Sequence, residues 1–450
     1  MSVKSSFAVA VGRSSYWFLH TFMKGGSSLP GKLTNQIDPD ILATLGRDYE
    51  VVIITGTNGK TLTTALAVKV LQAKYHNILT NPTGSNMKQG IITAFLTHKT
   101  GRSGKKIAVL EVDEANVIEV TKYIKPTAFV FTNIFRDQMD RYGELYTTYK
   151  KILAGVAKAP DATIIANGDA PIFNSQSLPN PIIYYGFNHQ QDGERKAPYN
   201  TDGVLCPVCN HILHYKFLIY SNLGKYYCPH CGFSRPKLQH SVTALTHLTP
   251  TQSQFVVDQQ ALKINIGGTY NIYNALAAYS VGRYFDIAPD KIAQALDADE
   301  KVFGRQEVIQ VGTKAVTLIL VKNPVGLNQV FNLISLNHKP FSLVTLLNAN
   351  YADGIDTSWI WDSDFEKMAA QKLPCYIAGG ERVTDIAFRW QVAGVPKDSL
   401  IQIKDLDQVA EKIKNLPTQQ VYVLATYTAV LQLREKLAAQ GFIAAANRKH

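Results

Sequence analysis

One stretch of the sequence decides the fold, Val51-Val52-Ile53-Ile54-Thr55-Gly56-Thr57-Asn58-Gly59-Lys60-Thr61. Its first four residues are apolar and β-branched, which predicts a buried strand, and residues 62–71 predict a helix. The two glycines permit a tight turn with close backbone approach. Together these parts make a phosphate cradle: backbone N–H groups and the helix N-terminus face the anion, Lys60 reaches the outer phosphates, and the hydroxyl of Thr61 can hold Mg²⁺.

The turn is shorter than the full phosphate-loop signature, which has a glycine five positions before Gly59, where this sequence has Ile54. The alternative is an ordinary strand–turn–helix joint. In its shortened form the turn resembles the ATP loop of the Mur ligase superfamily, whose members join amino acids to cell-wall precursors. The resemblance implies that ATP is bound by the residues of this loop, Gly56, Thr57, Asn58, Gly59, Lys60 and Thr61.

Length and composition describe a soluble globular protein. A chain of 450 residues predicts two or three domains, and 46% hydrophobic with 18% charged residues agrees with that class. No apolar run reaches the roughly 18 residues that span a bilayer. The net charge of +11 is dispersed and is only weak support for an anionic partner, which could be nucleic acid, anionic lipid or a phosphorylated substrate.

The N-terminal segment, residues 2–29, is basic and mildly apolar. Arg13 interrupts its apolar part and no small-residue cleavage site follows, so we predict no secretion signal and a cytoplasmic protein. Two interpretations stay open for this segment. It is a helix that packs on the first domain, or an amphipathic helix that touches a membrane surface or a partner.

The pattern of strands and helices divides the chain into three parts. Residues 1–45 are an N-terminal arm, residues 46–310 a central ATP-binding domain, and residues 311–450 a second α/β domain of Rossmann-like type. In the central domain strands alternate with helices, which predicts a parallel sheet covered by helices on both faces. A polar, Tyr-rich insertion that carries two cysteine pairs interrupts this domain at about residues 200–236.

Acidic residues close the strand predicted at residues 107–112. Carboxylates at the carboxyl end of a parallel strand point into the ligand crevice, where they can hold the Mg²⁺ that bridges ATP phosphates. In Mur ligases a glutamate at the end of the corresponding strand binds this metal. The resemblance assigns the role to Glu111, with Glu114 as the second choice.

Further segments resemble Mur ligases in the same order along the chain. Residues 132–143 match a segment in which relatives have a metal-binding histidine, where this sequence has Gln138. If Tyr149 is the tyrosine that follows this segment in relatives, the position of their carbamylated lysine falls on Leu153, which offers no metal ligand. The resemblance further implies that Asn271 approaches the nucleotide, with Asn274 one turn on, and that Arg305 contacts ATP phosphate at a domain junction.

The cysteines predict a structural zinc ribbon. Cys206-Pro207-Val208-Cys209 and Cys228-Pro229-His230-Cys231 are two Cys-x-x-Cys knuckles, whose four thiolates suit tetrahedral Zn²⁺. Four cysteines fill the coordination shell, so the site is structural rather than catalytic. Zinc ribbons often bind nucleic acid, and a nucleic-acid-binding ATPase is one alternative function. No stripe of arginine and aromatic residues accompanies the ribbon, so nucleic acid is not expected.

A zinc ribbon inside the central domain is unusual among Mur ligases, and it resembles one branch, the synthetase subunits of lipid II isoglutaminyl synthases. Residues 320–326, 348–362 and 379–382 resemble the same branch. The resemblance implies ATP-dependent amidation, through an acyl phosphate, of the D-glutamate α-carboxyl in lipid II at the cytoplasmic membrane face. ATP, Mg²⁺ and Zn²⁺ are the implied cofactors, and ammonia comes from a glutamine amidotransferase subunit, GatD. The other alternative is an amino-acid-adding ligase of the Mur or folylpolyglutamate type.

The acidic loop after the strand predicted at residues 341–347 completes this picture. Its aromatic residues favour a protein interface, and the resemblance implies that one aspartate orients the imidazole of the partner's catalytic Cys–His pair. We choose Asp356 for this catalytic role, because it lies in the middle of the loop. Asp353 could instead form a turn with Gly354, and Asp362 could cap a helix. The lone Cys375 lies on a predicted strand and is interpreted as structural.

Overall fold

The computed structural model describes residues 1–23, 28–81, 84–99, 101, 104–136, 145–188, 203–298 and 306–443. Within these residues the strands form two large sheets and one small hairpin. No helix among them is long and apolar enough to cross a membrane.

Short helices begin the chain and pack beside the first sheet. They are α1 (Val3–Phe18), a π-helical turn (Leu19–Met23), α2 (Leu29–Ile37) and α3 (Ile41–Gly46). α1 and α2 lie side by side because Gly12 has no side chain: a Cβ there would lie 2.1 Å from Oγ1 of Thr34. Buried Ser5 donates a hydrogen bond of 2.7 Å to Asp38 and so ties the start of α1 to the end of α2.

The first sheet has the strand order β11-β10-β9-β6-β5-β4-β1-β3-β2 among the described residues. Its strands are β1 (Glu50–Thr55), β2 (Asn77–Thr80), β3 (Lys106–Glu111), β4 (Ala128–Phe131), β5 (Thr163–Asn167), β6 (Ile182–Phe187), β9 (His240–Leu248), β10 (Ser253–Val257) and β11 (Gln260–Ile264). The helices that pack with them are α4 (Lys60–Gln72), α5 (Lys88–Thr97), α6 (Val117–Thr121), α7 (Leu145–Val156), α8 (Thr269–Tyr284) and α9 (Pro289–Asp297).

Strands β1 to β6 and β9 run parallel, with β1 between β4 and β3, which confirms the predicted parallel core of the central domain. β10 and β11 then continue the sheet in the antiparallel direction. No strands are predicted at β10 and β11 from the sequence. Buried side chains alternate there with half-exposed or exposed ones, and antiparallel edge strands with one solvated face carry many polar residues.

The second sheet has the strand order β12-β13-β17-β14-β15-β16. Its strands are β12 (Glu307–Val311), β13 (Lys314–Leu320), β14 (Phe341–Leu346), β15 (Tyr376–Gly379), β16 (Leu400–Ile403) and β17 (Gln420–Ala425). The helices are α10 (Pro324–Ile334), α11 (Phe365–Ala369), α12 (Val383–Val392), α13 (Leu406–Lys414) and α14 (Tyr427–Ala439).

Alternate residues of these strands enter two separate apolar clusters, one on each face of the sheet. Leu343 of β14 packs with Trp390 of α12, whereas its neighbour Val344 packs with Leu433 of α14. Because successive side chains of a strand point to opposite faces, both faces of this sheet are covered by helices. The predicted Rossmann-like C-terminal domain is confirmed in this arrangement.

The small hairpin of β7 (His214–Tyr220) and β8 (Leu223–Tyr227) lies in the predicted insertion and carries the cysteine knuckles at its base. It has an apolar cluster of its own, around Leu213, Tyr215 and Tyr226.

Candidate active site and metal centre

The turn between β1 and α4 takes the shape that the sequence predicts, and its glycines are needed there. Gly56 and Gly59 both have positive φ, at 132° and 84°. A Cβ at Gly56 would lie 2.3 Å from Oγ1 of Thr132, and one at Gly59 would lie 2.1 Å from Oδ1 of Asn274. The first N–H groups of α4 have no partner within the helix, so they face the space that an anion would fill.

The segment after β4 holds the turn in this shape. Asn133 accepts a hydrogen bond from the backbone N–H of Asn58 at 2.9 Å and donates one to the carbonyl of the same residue at 3.0 Å. The backbone N–H of Thr57 donates to the carbonyl of Asn133 at 2.8 Å, and the Thr57 hydroxyl bonds to Phe135. No role is predicted for Asn133 from the sequence, and its place just after the end of β4 is the one signal of it.

Lys60 lies inside the turn and forms an ion pair with Glu114. Its Nζ is 3.2 Å from both carboxylate oxygens, and both side chains are buried. Burial raises the pKa of the Glu114 carboxyl, while the ammonium groups of Lys60 and Lys322 oppose that rise. The structure therefore brings the second-choice carboxylate, Glu114, into direct contact with the phosphate-loop lysine.

Glu111, the first-choice metal ligand, ends β3 one strand away from the loop. The side chain of Asn81 forms two hydrogen bonds of 2.9 Å with the backbone of Glu111: its amide donates to the carbonyl, and its oxygen accepts from the N–H. The Glu111 carboxylate is buried, with the amide of Asn86 3.4 Å away. Both glutamates follow the same strand, so either carboxylate, with the hydroxyl of Thr61, offers oxygen ligands of the kind that Mg²⁺ takes.

The two asparagines at the start of α8 have different surroundings. Asn271 is almost fully buried, and its amide donates to the carbonyl of Gly267 at 2.6 Å. Asn274 donates to Asn271 at 3.2 Å and accepts from the hydroxyl of Thr63 at 3.2 Å. Asn274 is therefore the member of the pair that lies against the turn. Asn271 orients Asn274 by accepting the hydrogen bond from its amide.

The C-terminal domain closes over the phosphate turn. The side chains of Asn58 and Asn323 exchange hydrogen bonds of 3.3 and 3.0 Å across the gap between the domains, and Asn323 also caps α10. Lys322 lines the same gap, as do Tyr270 and Gln329. The cavity between these residues is about 70 Å³, which is small beside ordinary ligand sites.

Two residues of the predicted site lie outside the described residues. Arg305, the predicted phosphate clamp, and Gln138, which replaces the metal-binding histidine of relatives, both fall there. Gln306 follows Arg305 directly, lines the gap above the phosphate turn, and donates to the hydroxyl of Tyr270 at 3.2 Å. Leu153, at the position of the carbamylated lysine, packs against the core of the central domain.

The four cysteines of the insertion converge on one point. Their sulfur atoms all lie within 4.8 Å of one another, with Cys206 to Cys231 at 3.6 Å and Cys209 to Cys228 at 3.5 Å. Four thiolates at about 2.3 Å from a tetrahedral Zn²⁺ would be about 3.8 Å apart. The donor set and its spacing therefore fit zinc closely, as the sequence predicts.

A buried ion pair joins the cysteine hairpin to the central domain. Arg235, just beyond the second knuckle, donates to Asp169 at 2.8 Å, and the hydroxyl of Tyr273 on α8 donates to the same carboxylate at 2.7 Å. Burial raises the pKa of Asp169, and the Arg235 guanidinium counteracts it. The position of the insertion is thus tied to the helix that also carries Asn271 and Asn274.

The three aspartates of the loop after β14 have distinct roles. Asp353 is buried and accepts hydrogen bonds from the backbone and hydroxyl of Thr428. Asp362 pairs with Arg136 of the central domain at 2.6 Å. Asp356 is exposed at the rim of a cavity of about 490 Å³, where it accepts a hydrogen bond of 2.8 Å from the backbone N–H of Ser358.

Sequence families and solved structures identify this architecture. Residues 54–223 match the Mur ligase middle domain, and residues 320–430 match the family described as MurT ligase C-terminal. A pseudomurein peptide ligase type C from Methanothermus fervidus superposes with a TM-score of 0.67 at 21% identity, over 91% of this chain and 84% of that structure. The fold and the phosphate turn thus define a Mur-type ATP-dependent ligase.

Two curated relatives narrow the class. The chain is 50% identical over 443 residues, 98% of its length and 99% of the relative, to the MurT subunit of lipid II isoglutaminyl synthase (glutamine-hydrolyzing) from Streptococcus pneumoniae. It is 32% identical to the corresponding Staphylococcus aureus subunit, over 92% of this chain and 93% of that subunit. The chain therefore belongs to the MurT family, and the family resemblance found in the sequence is confirmed.

Proposed function

We propose that this chain is the synthetase subunit of a lipid II isoglutaminyl synthase, which amidates the α-carboxyl of D-glutamate in the lipid II stem peptide. The observation that carries the proposal is the identity of 50%, over 98% of the chain, to a subunit of that name. The phosphate turn and the exposed Asp356 loop, which a ligase with a glutaminase partner needs, lie within the matched length.

A carboxylate is a poor electrophile, so the reaction needs activation before nitrogen can enter. A carboxylate oxygen attacks the γ-phosphorus of ATP, the bond to ADP breaks, and an acyl phosphate forms. Ammonia then adds to the acyl carbon, loses a proton, and expels inorganic phosphate to leave the amide. The enzyme's part is to align the carboxylate with the γ-phosphate and to neutralise the charge that develops during transfer.

Lys60 supplies the positive charge in the phosphate turn, and Arg305 is proposed to join it when the domains close. The ion pair with Glu114 holds the Lys60 ammonium within the turn. Thr61, Glu111 and Glu114 would hold Mg²⁺, which neutralises phosphate charge. Asn274 keeps the turn in its binding shape.

The ammonia is proposed to come from GatD, a glutamine amidotransferase subunit that docks on the loop after β14. Exposed apolar side chains surround Asp356 there, namely Ile355, Trp361 and Phe388. Aromatic residues in an exposed cluster are typical of a protein interface. Burial raises the pKa of the Cys375 thiol, whereas a cysteine nucleophile is activated by a lowered pKa, so Cys375 is not proposed as a glutaminase nucleophile.

The function is tested by product mass. The chain, GatD, lipid II, ATP and amide-¹⁵N glutamine should yield lipid II in which one hydroxyl is replaced by a ¹⁵N amino group. Without GatD the reaction should need added ammonium. An amino-acid-adding ligase would instead raise the mass by a whole residue, and a failure to modify lipid II with either nitrogen source would refute the proposal.

A salt-dependent DNA gel shift would support the nucleic-acid-binding alternative.

We also propose that the cysteine hairpin holds one structural Zn²⁺ through Cys206, Cys209, Cys228 and Cys231. A structural zinc site contributes its binding energy to folding, because the unfolded chain has no preformed site. Cys206→Ser should therefore leave less than one zinc per chain and lower the melting temperature. The turnover of the fraction that stays folded should change little.

Cys375→Ser is the matched control, since this cysteine is also buried but lies in the second sheet domain. It should leave the zinc content unchanged. Metal analysis and a thermal melt check both variants. A Cys206→Ser protein with full zinc, or a zinc-free chain as stable as the wild type, would contradict the assignment.

A further inference from the structure

The first helix of the chain has two faces, and only one of them packs on the protein. Ser5, Ala8, Val9 and Gly12 are its buried residues. This face lies on α2 and α5, and at Gly12 an added Cβ would meet both Thr34 and Leu96. The orientation of α1 is therefore fixed by close packing, and its opposite face is held outward.

The outward face carries large apolar side chains along its length. At 3.6 residues per turn Val3, Phe7 and Trp17 fall on one stripe, with Phe18 beside it. The exposed fractions of Phe7, Trp17 and Phe18 are 62%, 63% and 52%. Phe22 of the π-helical turn extends the stripe: it is 64% exposed, and its ring centre lies 6.0 Å from that of Trp17 and 5.1 Å from that of Phe18. Apolar side chains that are exposed together mark an interaction surface.

Basic residues accompany this stripe in the sequence. The first 37 residues contain four Lys or Arg residues and no Asp or Glu. Lys4 and Arg13 are exposed about a quarter turn to either side of the centre of the stripe, and Lys32 is exposed on α2. The Nε of Arg13 donates to the carbonyl of Leu96 at 3.0 Å. An apolar aromatic face with basic residues at its borders is complementary to a surface that is apolar inside and anionic at its boundary.

We propose that α1 and the π-helical turn lie in the interface of an anionic membrane. The stripe enters the headgroup boundary, and Lys4 and Lys32 contact lipid phosphates, while Arg13 donates from Nε to the carbonyl of Leu96. Trp and Phe side chains suit this boundary region. The inference rests on the proposed function in one respect: the proposed substrate is a membrane lipid, which favours a bilayer over a protein partner as the occupant of this face.

Vesicle co-sedimentation of the full-length chain tests the proposal without ATP or lipid II. The wild type should bind vesicles of phosphatidylcholine with phosphatidylglycerol more strongly than vesicles of phosphatidylcholine alone. The triple variant Trp17→Ser, Phe18→Ser, Phe22→Ser should lose about tenfold or more in partition coefficient. Lys4→Glu with Lys32→Glu should weaken binding to the anionic vesicles only.

Matched controls change exposed residues elsewhere. Val208→Ser, Ile212→Ser and Val308→Ser together remove three exposed apolar side chains from the hairpin and from β12, and Lys372→Glu with Lys397→Glu reverses two exposed charges. Both should bind vesicles as the wild type does. All these positions are on the surface, so thermal melts should be unchanged.

Three results would overturn the proposal: no binding of the wild type to anionic vesicles, equal binding of the stripe variant, or a concentration-dependent dimer that only the stripe variant abolishes. The last result would assign the face to a second copy of the chain. Failure of the proposed function looks different, because the chain would bind vesicles and still not amidate lipid II.

Discussion

Lys60→Ala should lower ATP-dependent amidation by about 10²–10³-fold, which corresponds to about 3–4 kcal/mol of lost stabilisation of the transferring phosphoryl group. The side chain lies in the phosphate turn, where its ammonium is 3.2 Å from both carboxylate oxygens of Glu114. The loss should be the same with glutamine and with ammonium as the nitrogen source, because activation of the carboxylate precedes the entry of nitrogen. Initial rates of product formation with each source measure it.

Lys69→Ala is the matched control, since Lys69 is on the same helix but bonds to the carbonyl of Ala298, away from the turn. It should keep near-normal turnover. A thermal melt is needed for Lys60→Ala, because that change leaves the buried Glu114 without its ion-pair partner. Lys60→Ala combined with Glu114→Gln removes both charges, and it should restore stability without restoring the rate. Near-normal turnover of folded Lys60→Ala would refute the assignment of the phosphate turn.

Asp356→Asn should remove glutamine-dependent amidation and leave ammonium-dependent amidation intact. We propose that the Asp356 carboxylate accepts the ring N–H of the imidazole in the bound glutaminase. The side-chain amide of the variant cannot accept that N–H in the same way. Losses on the order of 10⁴ are known for such a change in a triad. Hydrogen bonds from the hydroxyl and backbone N–H of Ser358 lower the pKa of Asp356, so it is ionised and able to accept near neutral pH. The ratio of the two rates is the readout.

Asp398→Asn is the control, an exposed aspartate outside the proposed docking loop. Size-exclusion chromatography of each variant with GatD shows whether the complex still forms. A merely structural role of Asp356 would weaken the complex, whereas loss of imidazole orientation alone would leave it intact. If Asp356→Asn fails equally with both nitrogen sources, or works with both, the carboxylate has another role. Asp353→Asn tests the competing candidate, and because Asp353 supports Thr428 we expect it to lower stability.

Several features were accessible from the sequence because each is encoded within a short segment. The phosphate turn is one continuous piece, in which β-branched residues make a strand and Gly59 permits the positive φ that starts α4. The Cys-x-x-Cys spacing brings two thiols together within each knuckle, and the hairpin of β7 and β8 between the knuckles joins the two pairs. The strands of the parallel core are apolar runs buried on both sides, which is why the predicted bounds lie within a residue or two of those observed.

Only the tertiary structure decided which side chains meet across long separations. Asn58 receives Asn133 from 75 residues away and Asn323 from 265 residues away, and no local periodicity encodes such pairings. Glu111 ends β3 and Glu114 follows it closely, and only packing determines that the Glu114 carboxylate forms the ion pair with Lys60. Likewise the sequence does not show which apolar residues of α1 are buried and which are exposed. The close contact of Gly12 with α2 decides which face of the helix is left exposed. Sequence patterns report local backbone preference, whereas contact and exposure depend on how the finished elements pack.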